Sequence, residues 1–224
     1  MVLKTRVRLP PLPPFFKNMN FKSRSKEGQD ILVHKLFGYN KGVFLDVGCN
    51  HPVKSNNTYE LERLGWRGLL FDWKEDASLF LNRKSPYFKM DVTSPKFIET
   101  LNRESMTDVD YISLDVDASS EVVLQNILDN NIKFKVMTFE HNSYADGGLM
   151  RDSSRKRLLE KGYKILFGDV RLHRRRVIMK GKTRRRIRNW GTFEDWWINP
   201  NFFAEGLLSR AKNNTHWQDC LNLL

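Results

Sequence analysis

The stretch Val43-Phe-Leu-Asp-Val-Gly-Cys-Asn-His51 decides the fold that the sequence predicts. Its first four residues are apolar and end in a carboxylate, which is typical of a strand buried on both faces. Gly48 then permits the tight turn by which a chain leaves a strand, and it lets a ligand approach the backbone. A second stretch of the same kind, Gly68-Leu-Leu-Phe-Asp72, follows further along the chain. We therefore expect two strands of an α/β sheet, each ending in aspartate.

The aspartate at the end of the second stretch suggests a nucleotide-type ligand. In doubly wound folds, an acidic residue at this position binds the ribose hydroxyls of such a ligand. The glycines do not follow the spacing Gly-x-Gly-x-x-Gly, so the dinucleotide fingerprint is absent. A mononucleotide-like cofactor such as S-adenosylmethionine fits better. The alternative is a plain buried strand followed by a loop.

Strand and helix patterns alternate through the rest of the chain, which predicts a mostly parallel central sheet with helices on both faces. Strands are predicted at residues 43–47, 68–72, 87–92, 110–116, 135–140 and 164–170. Helices are predicted at residues 29–37, 57–64, 76–83, 95–102, 120–128 and 153–161. Residues 193–198 are predicted to form a last strand beside the sixth, and the tail from Asn201 is predicted to be helical.

The net charge of +12 is concentrated in two segments. Residues 1–26 hold seven Lys/Arg and no Asp/Glu, and residues 171–188 hold ten Lys/Arg and no Asp/Glu. Without them the chain has 21 basic and 26 acidic residues, so the remaining body is mildly acidic. Local basic segments of this kind favour anionic partners. A solvated segment with no partner is the alternative.

The 224 residues suit one sizeable domain with additions. We predict a basic, proline-containing arm at residues 1–26, a main domain at residues 27–200 with a basic insertion at 171–190, and a tail at 201–224. No apolar run is long enough to span a bilayer, and the first residues lack a signal-peptide core. The two cysteines, Cys49 and Cys220, suggest no disulfide framework. The prediction is a cytoplasmic protein.

The first five predicted strands would end at the same edge of the sheet, and each of them ends in or next to an acidic residue. Ligands of open α/β sheets bind outside the carboxyl ends of the strands. Such acceptors suit ribose hydroxyls, an adenine amino group and a cationic sulfonium, whereas they disfavour phosphates. The residues at these ends are Asp46, Gly48, Asn50 and His51, then Asp72 and Trp73, then Asp91 and Val92, then Asp115 and Asp117, and finally Glu140, His141 and Asn142.

In addition, the order of several motifs resembles the FkbM-type family of S-adenosylmethionine-dependent methyltransferases. The resemblance covers roughly residues 27–200. It implies a Rossmann-like class I methyltransferase fold, S-adenosylmethionine as cofactor and, usually, methylation of a hydroxyl. The chain departs from the family at Asn50-His51-Pro52 and at Asp117-Ala118. The motifs are Gly28-Gln-Asp30, Phe44-Leu-Asp-Val-Gly48, Asn57-Thr-Tyr-Glu-Leu-Glu62, Gly65-Trp-Arg-Gly68, Tyr111-Ile-Ser-Leu-Asp-Val-Asp117, Glu140-His141 and Phe193-Glu-Asp-Trp-Trp197.

The resemblance and the strand ends together assign cofactor-binding roles. Asp72 would bind the ribose hydroxyls, and Asp91 would accept a hydrogen bond from the adenine amino group. Trp73 could cover the adenine, and Asp115 would lie where the fourth strand meets the methyl donor. The predicted cofactor-binding residues are Asp46, Gly48, Asn50, Asp72, Trp73, Asp91, Val92 and Asp115.

Methyl transfer to oxygen also needs a base that removes the hydroxyl proton. His141 is the favoured base because the ordinary pKa of histidine lies near neutrality. Glu140 and Asp115 complete the predicted catalytic set, and His51 is the second candidate for the base. A metal held by His51, Asp115, Asp117, Glu140 and His141 is conceivable but has no tight ligand spacing, so we predict none.

The acceptor is left open by the sequence. A hydroxyl on a sugar, glycan or metabolite is favoured, and an RNA methyltransferase or a non-catalytic RNA-binding protein is the alternative. Either RNA reading would use the segment at residues 171–188. We predict that this segment, helped by Lys4, Arg6 and Arg8, recruits an anionic acceptor or surface. Its charges repel one another, which predicts a mobile segment or at most a loose hairpin.

Overall fold

The computed structural model describes residues 21–74, 76–141, 143–180 and 183–224. The side chains of residues 144, 145, 172–180 and 183–190 lie outside this description. The predicted arm residues Lys4, Arg6 and Arg8, together with Asn142, also lie outside the described residues.

A central sheet of eight strands has the order β3-β2-β1-β4-β5-β7-β6-β8. Strands β1 to β5 pair in parallel, whereas β7 is antiparallel to both of its neighbours, β5 and β6. This order confirms the predicted Rossmann-like α/β fold, and residues 193–198 do lie beside the sixth strand. The strands are β1 (Val43–Val47), β2 (Arg67–Asp72), β3 (Tyr87–Lys89), β4 (Asp108–Leu114), β5 (Lys133–Glu140), β6 (Lys164–Lys180), β7 (Thr183–Ile198) and β8 (Lys212–Asn213).

Helices cover both faces of the sheet because successive strand residues point to opposite sides. Phe44 packs in one buried cluster with side chains of the first, second and last helices, and Leu45 packs in the other with side chains of the third, fourth and sixth. The helices are α1 (Gln29–Phe37), α2 (Tyr59–Arg63), α3 (Pro95–Arg103), α4 (Ser120–Asp129), α5 (Ser143–Asp146), α6 (Leu149–Glu160), α7 (Glu205–Leu208) and α8 (Trp217–Leu223). Among the described residues, no helix has the length and apolarity needed to cross a membrane.

Two predicted elements, the helix after β2 and the strand β3, are shorter than expected because side-chain hydrogen bonds end them early. Asp76 accepts a hydrogen bond from the Ser78 backbone and begins only a 3-10 turn at Ala77–Phe80, where a helix at 76–83 was predicted. The strand predicted to reach residue 92 ends at Lys89, and Asp91 accepts from the Thr93 backbone N–H at 2.9 Å. Such local side-chain bonds favour turns over extended structure.

The tail, which was predicted to be helical, is helical only in part. It contains α7, the two-residue strand β8 and α8. Strand β8 pairs with β6, and Cys220 and Leu221 of α8 are buried in the same cluster as α1. The tail therefore belongs to the main fold. Both Cys49 and Cys220 are buried free thiols.

The basic segment extends β6 and β7 into a long antiparallel hairpin. Backbone pairing runs from Arg171 opposite Thr192 to Lys180 opposite Thr183, so of the two predicted alternatives, a mobile segment or a loose hairpin, the structure has a hairpin. Glu194 of β7 lies opposite Glu140, the last residue of β5. The hairpin beyond this pair therefore projects past the carboxyl ends of the parallel strands.

Gly48 allows β1 and β4 to approach each other at that same edge. Its φ is 87°, and a Cβ atom placed on it would lie 1.7 Å from the Asp115 carbonyl oxygen. The contact is reinforced because the Asp115 N–H donates to the Val47 carbonyl at 2.9 Å. An alanine side chain at position 48 can be accommodated only if the two strands separate.

We expect Gly48→Ala to destabilise the fold by about 3 kcal/mol or more, since backbone strain and a clash with backbone add together. Gly162→Ala is the matched control, because Gly162 has the same φ of 87° but open space around the added carbon. It should cost only about 1 kcal/mol. Urea unfolding of both variants measures the difference, and equal losses would show that the β1–β4 contact is not limiting.

Candidate functional site

Two adjoining cavities open at the carboxyl edge of the sheet. The larger has a volume of about 480 Å³ and the smaller about 280 Å³. Gly48, Asn50 and Asp115 line both, so these residues form the boundary between them. The larger cavity is also lined by Phe71, Asp72, Trp73, Lys74, Met90, Asp91, Val92, Thr93, Val116, Asp117, Ala118 and Ser119. The smaller is also lined by Lys26, Glu27, Gln29, Asp46, Cys49, Ser55, Asn57, Glu140 and Phe193.

Asp72 is fixed at the end of β2 by two backbone donors. One carboxylate oxygen accepts from the Asn50 N–H at 2.9 Å, and the other accepts from the Lys74 N–H at 2.9 Å. A carboxylate oxygen can accept more than one hydrogen bond. Asp72 can therefore still accept two bonds from a ligand in the larger cavity.

The other predicted residues of this pocket line the larger cavity as well. Asp91 is exposed, and the hydrogen bonds donated by the Thr93 hydroxyl and backbone hold the pKa of Asp91 below its ordinary value. The Asp91 carboxylate is thus an ionised acceptor at neutral pH. Trp73 is 66% exposed, which leaves its ring available to a ligand. Val92 is buried and lines the wall.

Asp46 has a structural environment that differs from the predicted one. It lines the smaller cavity rather than the larger, and its carboxylate accepts from the Thr58 hydroxyl at 2.7 Å and the Asn56 amide at 3.2 Å. Burial raises the pKa of Asp46 to about 6 despite these bonds. The geometry of Asp46 therefore holds the loop after β1 in place.

The sequence reasoning missed Arg83, which supports this loop from beneath. The Arg83 side chain is almost fully buried and donates to the Pro52 carbonyl at 2.9 Å, the Thr58 hydroxyl at 3.1 Å and Glu62 at 3.1 Å. A buried guanidinium is stable only with such complete pairing. No pattern around Arg83 distinguishes it from a surface arginine.

Asp115 and Glu140 form a carboxyl pair at the ends of β4 and β5. Both line the smaller cavity. Asp115 keeps accessible surface in the cavity, and desolvation together with the hydrogen-bonded Glu140 carboxyl raises its pKa above the ordinary value. Two adjacent carboxyls that share a proton are a common source of acid–base chemistry. Of the predicted catalytic residues, the structure brings these two together.

A strap at residues 23–28, before α1, forms one wall of the smaller cavity. The Asp30 carboxylate accepts from the Ser23 hydroxyl at 2.7 Å, the Ser25 hydroxyl at 2.6 Å and the Arg24 N–H at 2.7 Å. The Asn56 N–H donates to the Arg24 carbonyl at 3.1 Å, which ties the strap to the loop after β1. The strap is thus anchored at both sides of the cavity.

Glu194 of β7 anchors α1 behind the strap. Its carboxyl accepts from the Gln29 amide at 3.1 Å and from the Trp196 indole N–H. Burial nevertheless raises the pKa of Glu194 to about 8, since burial outweighs both donors. Glu194 is therefore a neutral carboxyl below about pH 8.

His141, the favoured base, lies away from both cavities and is fully buried. Its Nε2 lies 3.3 Å from Asp195, and its Nδ1 accepts from the Ser143 N–H at 3.2 Å. His51, the second candidate, accepts the Val53 and Lys54 N–H groups at Nδ1, both at 3.0 Å, and so stabilises its own turn. Neither ring faces a cavity, and the predicted role of His141 as base gains no geometric support.

The acids around His141 are paired with arginine. His141, Asp169 and Asp195 bring their ligand atoms within 4.8 Å of one another, a spacing that could hold a metal ion. However, Arg155 bonds Asp195 through two contacts of 2.8 Å and reaches Asp169 at 2.9 Å. The ion pair holds the pKa of Asp195 at about 2 despite burial. The Arg155 guanidinium thus neutralises the two acids of this group.

Comparison with known proteins identifies similar folds but no family. No family model matches the chain, and no curated protein sequence matches it. The fold is similar to that of a precorrin-6y C5,15-methyltransferase from Geobacter metallireducens, at 13% identity over 85% of this chain and 98% of that one, with a TM-score of 0.49.

Two further solved structures are similar to the same degree. A SAM-dependent O-methyltransferase from Thermotoga maritima matches at 12% identity over 78% of this chain and 65% of that one, with a TM-score of 0.48. A putative RNA methyltransferase from Pyrococcus horikoshii matches at 16% identity over 76% and 81% of the two chains, with a TM-score of 0.47. At such distances the function of this chain has to be argued from its own residues.

The neutral carboxyl of Glu194 predicts a fall in stability as pH rises. Its folded pKa of about 8 exceeds the ordinary value of 4.5, so between these values the unfolded chain releases a proton that the folded chain keeps. Wild-type protein should lose stability from pH 5 to pH 8, and Glu194→Gln should remove part of that loss.

Urea unfolding at both pH values tests this prediction. The control is Glu205→Gln, which alters an exposed side chain of α7 and should leave the pH dependence unchanged. The same decline in Glu194→Gln as in the wild type would show that Glu194 is ionised in the folded protein.

Proposed function

We propose that the chain is an S-adenosylmethionine-dependent methyltransferase. The observation that carries the proposal is the meeting of the two cavities at Asp115, beside a predicted ribose-binding Asp72. The larger cavity would hold the cofactor, and the smaller would hold the methyl acceptor. A group that lies between the two is positioned to act on the reacting atoms. The predicted membership of the FkbM-type family is consistent with this proposal and stays a prediction.

The larger cavity suits an adenosine ligand in size and in polarity. About 480 Å³ falls within the range of small-molecule sites, roughly 300–1,000 Å³. Asp72 would accept from both ribose hydroxyls, Asp91 would accept from the adenine amino group, and Trp73 would cover the ring. Gly48, without a side chain, would let the amino-acid end of the cofactor approach the backbone.

Asp115 would take the proton of the acceptor. Bound S-adenosylmethionine supplies an electrophilic methyl group, and the electron pair of the broken carbon–sulfur bond stays on sulfur. The acceptor oxygen gains the methyl group, and its proton passes to the Asp115 carboxylate. Glu140 would act as a positioning residue, since its carboxyl is hydrogen-bonded to Asp115 and sets the pKa of Asp115. This assignment replaces His141 as the base and keeps two of the three predicted catalytic residues.

The acceptor we propose is a hydroxyl compound. A base with a raised pKa suits removal of a hydroxyl proton as the oxygen attacks. Lys26 is the one basic residue in the described lining of the smaller cavity, so the cavity lacks the cations that a buried phosphate or carboxylate would need. A hydroxyl of a sugar, glycan or metabolite fits, and so does a hydroxyl of a nucleic acid whose phosphates stay outside.

Replacing Asp72 should weaken cofactor binding. Asp72→Ala removes two charge-assisted hydrogen bonds to the ribose, each worth roughly 1.5–3 kcal/mol, so affinity for S-adenosylhomocysteine should fall at least a hundredfold. Titration calorimetry measures it. Asp76→Ala is the control, because Asp76 is a nearby exposed acid whose carboxylate caps the turn after β2. Unchanged affinity in Asp72→Ala would refute the pocket assignment.

Removing the proposed base should slow turnover. We expect Asp115→Asn to lower kcat by on the order of a hundredfold or more while S-adenosylhomocysteine still binds. In Glu140→Gln the Asp115 pKa should fall, because a neighbouring carboxyl is lost, and the acid limb of the pH–rate profile should move to lower pH. Glu99→Gln, an exposed acid on α3, is the control. Wild-type kcat in Asp115→Asn would place the base elsewhere.

A further inference from the structure

We propose that the methyl acceptor is RNA, bound by the two basic segments, residues 1–26 and 171–188, that join the described fold at the wall of the smaller cavity. This inference rests on the proposed methyltransferase function and specifies its substrate class. Two observations support it. Both segments join the described fold beside the smaller cavity, and the segments are basic whereas the residues that line the cavity are mostly acidic or neutral.

The first basic segment joins the fold at the strap. Lys26, within the strap, lines the smaller cavity, and the chain that precedes it carries further basic residues. Because the strap is bonded to Asp30 on one side and to the loop after β1 on the other, the point of attachment is fixed beside the cavity. The first segment is therefore tethered at the cavity rim.

The second basic segment joins the fold at another part of the wall of the same cavity. Phe193 of β7 lines the smaller cavity, and the hairpin that carries residues 171–188 continues from it. The pairing of Glu194 with Glu140 sets the direction, because residues before Glu194 run beyond the carboxyl end of β5. The hairpin therefore projects on the same side of the sheet as the two cavities, not at the opposite edge.

The charge of the molecule is divided between these segments and the cavity. Residues 171–188 hold ten Lys/Arg and no acid, whereas the smaller cavity is lined by Glu27, Asp46, Asp115 and Glu140 with a single lysine. A polyanion that binds the basic segments releases counterions and gains affinity. A phosphate of that polyanion would find one cation, Lys26, in the described lining of the smaller cavity, whereas a neutral hydroxyl needs none.

RNA matches this division better than other polyanions. Each RNA nucleotide carries a phosphate and, one sugar carbon away, a neutral 2′-hydroxyl, whereas DNA lacks that hydroxyl. Phosphates would lie on the basic segments while one ribose enters the cavity.

Fluorescence anisotropy with a labelled single-stranded RNA tests whether the basic segments bind RNA. Wild-type protein should bind with a steep salt dependence, and replacing Arg184, Arg185 and Arg186 with Gln should reduce the slope of log K against log salt by about 2, at roughly 0.7 per phosphate contact. The matched control replaces Lys41, Lys133 and Lys161, three exposed lysines at the opposite edge of the sheet, and should leave the slope unchanged. Equal slopes in the two triple variants would overturn the proposal.

Methyl transfer from labelled S-adenosylmethionine tests the acceptor. RNA should be methylated, whereas DNA of the same sequence and a heparin fragment should not, and the arginine triple variant should have a raised KM for RNA with little change in kcat. RNA that binds without being methylated, or methylation of DNA or heparin in its place, would overturn the RNA assignment.

Calorimetry with S-adenosylhomocysteine separates this failure from failure of the proposed function. If the wild type binds the cofactor product but not RNA, the substrate class is wrong and the methyltransferase proposal stands. If the cofactor product does not bind, the methyltransferase proposal itself fails.

Discussion

The close contact between β1 and β4 at Gly48 is the constraint on which the site depends. Because position 48 carries no side chain, the Asp115 backbone can lie against it, and the two cavities meet at this contact. Moving the strands apart would separate Asp115 from the wall that it shares with Asn50. The position of the ligand pocket and that of the proposed base thus both depend on the close approach of β1 and β4. Burial of apolar side chains on both faces of the sheet maintains this approach.

Local sequence patterns were sufficient for the fold and for the larger cavity. Strand residues such as Phe44 and Leu45 alternate between two buried clusters, and a carboxylate at the end of β2 is a position-specific signal. Elements bounded by side-chain hydrogen bonds were predicted less well, as at Asp76 and Asp91. The hydrophobic pattern does not record where a carboxylate captures a neighbouring N–H and ends a strand or a helix.

Long-range pairing explains why His141 does not line either cavity. His141 follows a strand end, so its position pointed to the cavity, but its ring turns toward Asp195, which lies far along the chain. The partner of Asp195, Arg155, comes from yet another element. The environment of a titratable group depends on residues that sequence spacing does not bring together. Glu140, its neighbour, faces the smaller cavity because side chains alternate along a strand.

Strand β7 joins two parts of the molecule that should differ in local stability. Its residues 194–198 lie between β5 and β6, with Glu194 bonded to α1 and Asp195 bonded to α6. Amide protons there should exchange with deuterium only when the whole domain opens. Nearer the hairpin end, β6 is the only strand within the described residues that pairs with β7, so exchange can proceed by fraying from the tip. One continuous strand would then span two cooperative units, and the boundary between them would fall at the cavity wall.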